Sequence, residues 1–219
     1  MNGIHSQAKL DPTGLMKACA EGLLGDLIRL ARCGNADITN ELAIHTVIQS
    51  IAAARGYHHH HEYPIFKRHS LGDWHRIDFV FHHEVYEEIA KQRGTKHYSL
   101  SHNVVALEVK LFGTEARNNT SYFEEENATE SDIRQCKDVT KDLRKLTAFC
   151  SMMDTTAKRL KVNVNVNAFL LAINLDAHLG IKWDPVKAHL PAANLEYVDR
   201  FEYTNESVSK ATTLYQIRR

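Results

Sequence analysis

Residues 103–112 read NVVALEVKLF, a run in which nearly every position except Glu108 and Lys110 is apolar. Strands of this composition lie near the centre of a sheet, where both faces are covered. Because side chains alternate between the two faces of a strand, Glu108 and Lys110 share one face, and the odd-numbered apolar residues point to the other. Burying either charge alone is costly, so the run requires a partner or a metal nearby.

A second strand is predicted upstream, at HRIDFVFHH, where Ile77, Phe79 and Phe81 alternate with more polar positions. Asp78 is an isolated acid in this apolar run. Two carboxylates that converge from neighbouring strands form an oxygen-rich pocket suited to Mg²⁺, which takes few carboxylates and keeps several waters. We therefore expect Asp78 and Glu108 to bind Mg²⁺, with Mn²⁺ as a substitute, and Lys110 to hold or activate an attacking water.

In the rest of the chain, apolar residues that recur every three or four positions predict helices, and alternating apolar residues predict strands. The predicted helices cover residues 13–33, a second segment that ends at Gly56, and residues 131–150. Further extended segments are predicted at residues 62–66, 162–174 and 195–203. Residues 84–102 are predicted to form a short helix and a turn at Gly94, and residues 113–130 a mobile loop.

This order of elements predicts an α/β fold with a central mixed sheet flanked by helices. At 219 residues and 43% hydrophobic content, the chain fits one domain, with residues 1–38 as an N-terminal helical extension and a core at about 39–203. No run of 18 apolar residues exists in the sequence, which argues against a membrane-spanning helix. The four cysteines lack CxxC spacing and the first residues are polar, so a cytoplasmic location is expected.

The arrangement RID, ending in Asp78, and ALEVK, with Glu108 and Lys110, resembles the PD-(D/E)xK nuclease superfamily. Ile77 stands where the family usually has Pro. The resemblance implies a restriction-endonuclease-like fold and a metal-dependent nuclease acting on DNA, most simply an endonuclease of restriction, repair or defence type. It also implies that the carbonyl of Val109 is a third metal ligand and that the protein is a homodimer.

Two further sets of residues are predicted to contribute. Family members often carry an additional acid on the helix before the sheet, and Glu41 is the candidate here, although a first-turn Glu also stabilises a helix dipole. The cationic face of the helix at 131–150 is expected to contact phosphates. Its candidate residues are Gln135, Lys137, Lys141, Arg144 and Lys145. Interspersed acids such as Asp142 leave a merely solvated helix face as the alternative.

Two other functions remain open from the sequence, and the histidine run has a further possible role. The equal numbers of basic and acidic residues, 27 each, give no global attraction to a polyanion and favour a binding or regulatory module without turnover. In such a module, the acids and the lysine would form an internal ion network. The histidine run at residues 58–61 could instead serve a zinc hydrolase, or provide partly protonated imidazoles near a phosphate.

Overall fold

The structure is a computed structural model, which describes residues 11–32, 41–65, 75–92, 95–112, 130–174, 195–204 and 209–218. Within these ranges, the chain forms three helices and six strands. The helices are α1 (Pro12–Arg32), α2 (Glu41–Ala54) and α3 (Glu130–Leu160). The strands are β1 (His58–Ile65), β2 (His75–Gln92), β3 (Thr95–Phe112), β4 (Asn163–Asn174), β5 (Leu195–Thr204) and β6 (Ser209–Ile217).

The six strands form one mixed sheet in the order β1-β2-β3-β4-β6-β5. β3 and β4 are parallel and run side by side from Ser101↔Asn163 to Phe112↔Asn174. The other neighbouring strands are antiparallel. Parallel neighbours require a crossover, and α3 lies in the connection between β3 and β4. The mixed α/β sheet flanked by helices that the sequence predicts is thus confirmed.

Apolar side chains cover both faces of the sheet. On one face, Leu15, Met16 and Ile48 of α1 and α2 pack against strand residues such as Leu107 and Phe169, and we call this the α1–α2 layer. On the other face, Leu146, Phe149 and other residues of α3 pack against Val104, Ala106 and Leu170, and we call this the α3 layer. Leu107 and Val109 belong to the α1–α2 layer, so the alternation along β3 directs Glu108 and Lys110 towards α3.

The side chains of β2 change layer beside Asp78. Phe79 packs in the α1–α2 layer, whereas Ile77 packs in the α3 layer. On the neighbouring strand β1, between the pairs His61↔Phe79 and Tyr63↔Ile77, Glu62 has a positive φ of 50°. Asp78 therefore lies at the position where β2 passes from one layer to the other.

Residues 84–102 differ from the sequence prediction. Residues 84–92 lie in β2 and residues 95–102 in β3, and the two strands pair from Phe79↔Leu107 out to Gln92↔Thr95, so the predicted short helix is wrong. Cross-strand hydrogen bonds along this arm outweigh its weak local preference for helix. The turn predicted at Gly94 lies outside the described residues, as do residues 113–129 of the loop predicted at 113–130; Glu130, the last residue of that loop, begins α3 instead.

Both ends of the described chain belong to the sheet assembly. β6 follows the predicted core and pairs with β4 and β5. α1 packs on the sheet through buried residues of the α1–α2 layer, and the buried hydroxyl of Thr212 donates to the carbonyl oxygen of Ala20 at 3.0 Å. In the described part of the chain, no helix combines the length and apolar character that crossing a membrane requires.

Candidate active site

The structure brings Asp78 and Glu108 together at the end of the β2–β3 pairing. The last paired residues are Phe79 and Leu107, so Asp78 and Glu108 are the next position along each strand. At this position the main chain of β3 makes a hydrogen bond to a side chain of β2: the Val109 N–H donates to Oδ2 of Asp78 at 2.8 Å. This bond fixes the carboxylate of Asp78 beside Glu108, and the two charges interact.

Helix α3 adds two charged residues that the sequence did not single out as a pair. The ammonium of Lys145 donates to Oε2 of Glu108 at 2.6 Å and lies 2.9 Å from Oδ1 of Asp142. It also donates to the carbonyl oxygen of Arg76 at 3.1 Å. Lys110 lies 3.8 Å from the other carboxylate oxygen of Asp142. Asp142 therefore bridges the two lysines, and the site is a cluster of five charged side chains.

Glu108 is the most enclosed member of this cluster, with 1% of its surface exposed. Its Oε1 atom is buried and has no hydrogen-bond partner among the residues that the structure describes. Burial raises the pKa of Glu108 from its ordinary value of 4.5 to about 9; the negative charge of Asp78 adds to this rise, and the ammonium of Lys145 opposes it. A buried carboxyl group with an unused oxygen is the type of ligand that a cation would satisfy.

The cluster carries an excess of negative charge. Asp78, Glu108 and Asp142 contribute three carboxylates against the two ammonium groups of Lys110 and Lys145. Nearby, Arg76 pairs with Glu62 in an exposed ion pair, so it does not balance the cluster. When all five of these side chains are ionised, the site therefore has one excess negative charge, which attracts a cation.

The chain was compared with protein-family models, curated proteins and solved structures. Nothing matched. The PD-(D/E)xK relationship and the restriction-endonuclease-like fold therefore stay predictions. They rest on Asp78, Glu108 and Lys110.

The residues present fit a magnesium ion better than a zinc ion. Among the described residues, no group of three or more His, Cys, Asp or Glu side chains is arranged to hold a metal. Mg²⁺ needs no such cage, because it is often bound by one or two carboxylates together with waters and substrate phosphate. Asp78 and Glu108, with the unpartnered Oε1 atom of Glu108, supply that smaller set.

The remaining predicted residues differ in four ways in where their side chains lie. Glu41 begins α2, and Gln135 and Lys137 lie in α3, but their side chains are outside the described part of the structure. Lys141 and Arg144 are exposed on α3, as a phosphate-binding surface requires. Lys145, predicted with them, is instead turned inward to Glu108. Val109 uses its N–H to hold Asp78, while its side chain is buried.

The histidine run forms the first half of β1, and its rings contact histidines of β2 and α2. The rings of His58 and His60 stack against His82, with centroids 5.4 Å and 5.2 Å apart, whereas His61 contacts the ring of His45 on α2. These stacked imidazoles line an open groove of about 710 Å³. Because the described histidines do not belong to a group arranged to hold a metal, the zinc-hydrolase alternative gains no support from their arrangement.

Sequence reasoning missed the inward role of Asp142 and Lys145, although one signal was present. The buried side chains Val139, Leu146 and Phe149 define the face of α3 that packs on the sheet. Asp142 falls three residues after Val139 and four before Leu146, so it occupies an apolar position of the helical repeat. A lone acid at such a position predicts a buried partner.

Proposed function

We propose that the chain is a divalent-metal-dependent nuclease of the PD-(D/E)xK type, which hydrolyses phosphodiester bonds in DNA in the cytoplasm. The observation that carries the proposal is Glu108, a fully buried carboxyl group with one unpartnered oxygen, beside the carboxylate of Asp78. Natural proteins rarely retain such a costly arrangement away from a functional site. In its fully ionised form the cluster has three carboxylates and two ammonium groups, and a bound cation would offset this excess of negative charge.

Each residue of the cluster has a chemical role in this proposal. Asp78, oriented by the Val109 N–H, and Glu108 would hold Mg²⁺, or Mn²⁺ in its place. When bound, a divalent ion supplies positive charge that offsets the charge of the phosphate during an in-line displacement. Lys110, which is partly exposed, would hold the attacking water. The water oxygen forms the new P–O bond and gives up a proton to solvent, a bridging P–O bond breaks, and the departing oxygen takes a proton from solvent.

The surface beside the cluster suits a phosphate backbone. Lys141 and Arg144 are exposed on α3 and immediately precede Asp142 and Lys145 in the chain, so we take them as the candidate phosphate contacts of this helix. DNA would be held there by phosphate contacts, which neutralise charge without reading sequence. An endonuclease that cuts both strands needs two such sites, which a homodimer would supply.

The proposal is tested by incubating supercoiled plasmid, linear duplex and single-stranded DNA with the protein in Mn²⁺, in Mg²⁺ and in EDTA. We expect nicking or linearisation of the plasmid with either metal and none in EDTA. Lys110→Ala should reduce the rate by about 100-fold, the usual scale for removing one group that stabilises a transition state. Lys158→Ala, an exposed lysine at the far end of α3, is the matched control. Cleavage that persists in EDTA, or is unaffected by Lys110→Ala, would contradict the mechanism.

The ion pairs themselves favour a second candidate, a binding or regulatory module without turnover. Lys145 and Lys110 already neutralise two of the three acids, so the cluster is largely balanced without a metal. This candidate predicts that Asp78→Ala and the parent respond equally to Mg²⁺ or Mn²⁺. The nuclease predicts that the variant loses the response.

A further inference from the structure

We infer that Lys145 is an internal competitor of the divalent cation. Its ammonium group holds Glu108 in the metal-free site and must leave Glu108 when the ion binds, so it sets the divalent concentration at which the site loads. This inference rests on the proposed function, since it concerns the same metal site.

The geometry around Lys145 is that of a bound cation. Its ammonium has three hydrogens, and three oxygens accept them: Oε2 of Glu108 at 2.6 Å, Oδ1 of Asp142 at 2.9 Å and the carbonyl oxygen of Arg76 at 3.1 Å. Only 13% of the side chain is exposed. A lysine that simply tracked a phosphate backbone would extend its ammonium into solvent, as the exposed position of Lys141 on the same helix allows.

The ammonium and a divalent ion compete for the same carboxyl group. Lys145 occupies Oε2 of Glu108, while Oε1 has no partner among the described residues. Mg²⁺ binds carboxylate oxygens at about 2.1 Å, so an ion on either oxygen of Glu108 would lie within a few ångströms of the ammonium. Two cations at that separation in a poorly solvated site repel each other strongly. By linkage, the ammonium weakens metal binding by the same factor as the metal weakens the Lys145–Glu108 bond.

Asp142 allows Lys145 to leave Glu108 and still have a negatively charged partner. It lies three residues before Lys145 on α3 and already contacts the same ammonium. When the ion takes Glu108, Lys145 keeps this partner and shifts towards it. Glu108 thus contacts a positively charged group in both states: the ammonium of Lys145 before the metal binds, and the metal afterwards.

The test compares Mn²⁺ affinity, measured by isothermal titration calorimetry at one fixed pH, in the parent and three variants. Lys145→Met removes the charge, Lys145→Arg keeps it, and Lys158→Met removes an exposed charge elsewhere on α3. Removing one competing charge-assisted hydrogen bond corresponds to roughly ten- to hundredfold in binding, so Lys145→Met should bind Mn²⁺ at least about tenfold more tightly. The other two variants should stay within about twofold of the parent.

The outcomes separate this inference from the proposed function. If the parent binds Mn²⁺ and Lys145→Met binds it equally well or more weakly, only the competitor role is overturned. That result would show that the ammonium of Lys145 stabilises the bound ion or does not compete with it for Glu108. Absence of binding in both the parent and Lys145→Met overturns the metal site and the inference together.

A second measurement needs no variant. Amine-reactive labelling followed by mass spectrometry reports how accessible each lysine is in the parent protein. Saturating Mn²⁺ should raise the labelling rate of Lys145 several-fold, because its bond to Glu108 is lost, and should leave the exposed Lys158 unchanged. A labelling rate of Lys145 that is unchanged or lower in Mn²⁺ would overturn the inference.

Discussion

Replacing Glu108 with Gln should make the metal-free protein more stable. The substitution keeps the shape of the side chain but removes an ionisable carboxyl group that is 1% exposed and whose Oε1 atom has no hydrogen-bond partner among the described residues. The pKa of Glu108 is raised, first by burial and then by Asp78, from 4.5 to about 9. Active sites commonly retain groups that lower stability in this way, because function requires them.

The effect has a defined dependence on pH. Below pH 4.5, Glu108 is protonated in both the folded and the unfolded chain, so it makes no difference. As pH rises from 4.5 to about 9, the unfolded chain releases this proton and the folded chain retains it, so the stability of the parent falls. Above about pH 9 the loss is complete. Glutamine does not titrate, so the advantage of Glu108→Gln grows across this window.

The magnitude follows from the pKa difference and from the bond to Lys145. At pH 8, which is about 3.5 pH units above the ordinary pKa of 4.5, the proton that folded Glu108 retains sets a ceiling of about 5 kcal/mol, at about 1.4 kcal/mol for each pH unit. The amide oxygen of glutamine can still accept from Lys145 but is a weaker acceptor than a carboxylate, which offsets roughly 1.5–3 kcal/mol of this gain. We therefore expect Glu108→Gln to gain about 2–3 kcal/mol at pH 8, or about 4–12 °C in Tm for a chain of this size.

The assay is thermal or urea unfolding of the parent and Glu108→Gln at pH 5, 7, 8 and 9 in EDTA. Glu21→Gln, which removes an exposed acid from α1, is the control and should match the parent at every pH. Taking the difference between variant and parent cancels the titration of all other groups. A variant that is less stable than the parent at pH 8, or a difference that shrinks as pH rises, would refute the reasoning about Glu108.

Burial raises the pKa of the Cys19 thiol to about 12. Iodoacetamide at pH 8 should therefore leave Cys19 unmodified in the native protein and alkylate it in urea. Rapid alkylation of the native protein would contradict the burial of Cys19. Thr212→Val should lower the free energy of unfolding by about 1 kcal/mol, since it removes the buried hydrogen bond to Ala20 of α1; an unchanged stability would argue against this docking of α1. Changing both Lys141 and Arg144 to Gln should weaken DNA binding and reduce the slope of log K against log salt by about 2, whereas an unaltered slope would exclude both from phosphate contact.

The strands that carry the site were predictable because their pattern is strongly constrained by burial. A run such as residues 103–112 can be covered on both faces only in the middle of a sheet, and its period of two fixes which side chains share a face. The convergence of Asp78 and Glu108 follows from that period and from the pairing of β2 with β3.

The features that were not predicted depend on contacts between segments distant in sequence. Residues 84–92 and 95–102 are stabilised as strands by pairing with each other, which outweighs local preference. The inward turn of Lys145 depends on a carboxyl group 37 residues earlier, so the local pattern of α3 presents it as one more surface lysine. The change of layer between Ile77 and Phe79 departs from the regular alternation of a strand, so the sequence pattern alone does not predict it.

The central claim is that Asp78 and Glu108 share one divalent cation, and calorimetric titration with Mn²⁺ tests it most directly. The parent should bind one ion per chain. Asp78→Asn should lose this binding while keeping its fold, because the Asn side-chain oxygen can still accept the Val109 N–H, and Glu108→Gln should lose it too. Binding by both variants with the stoichiometry and affinity of the parent would contradict the shared site.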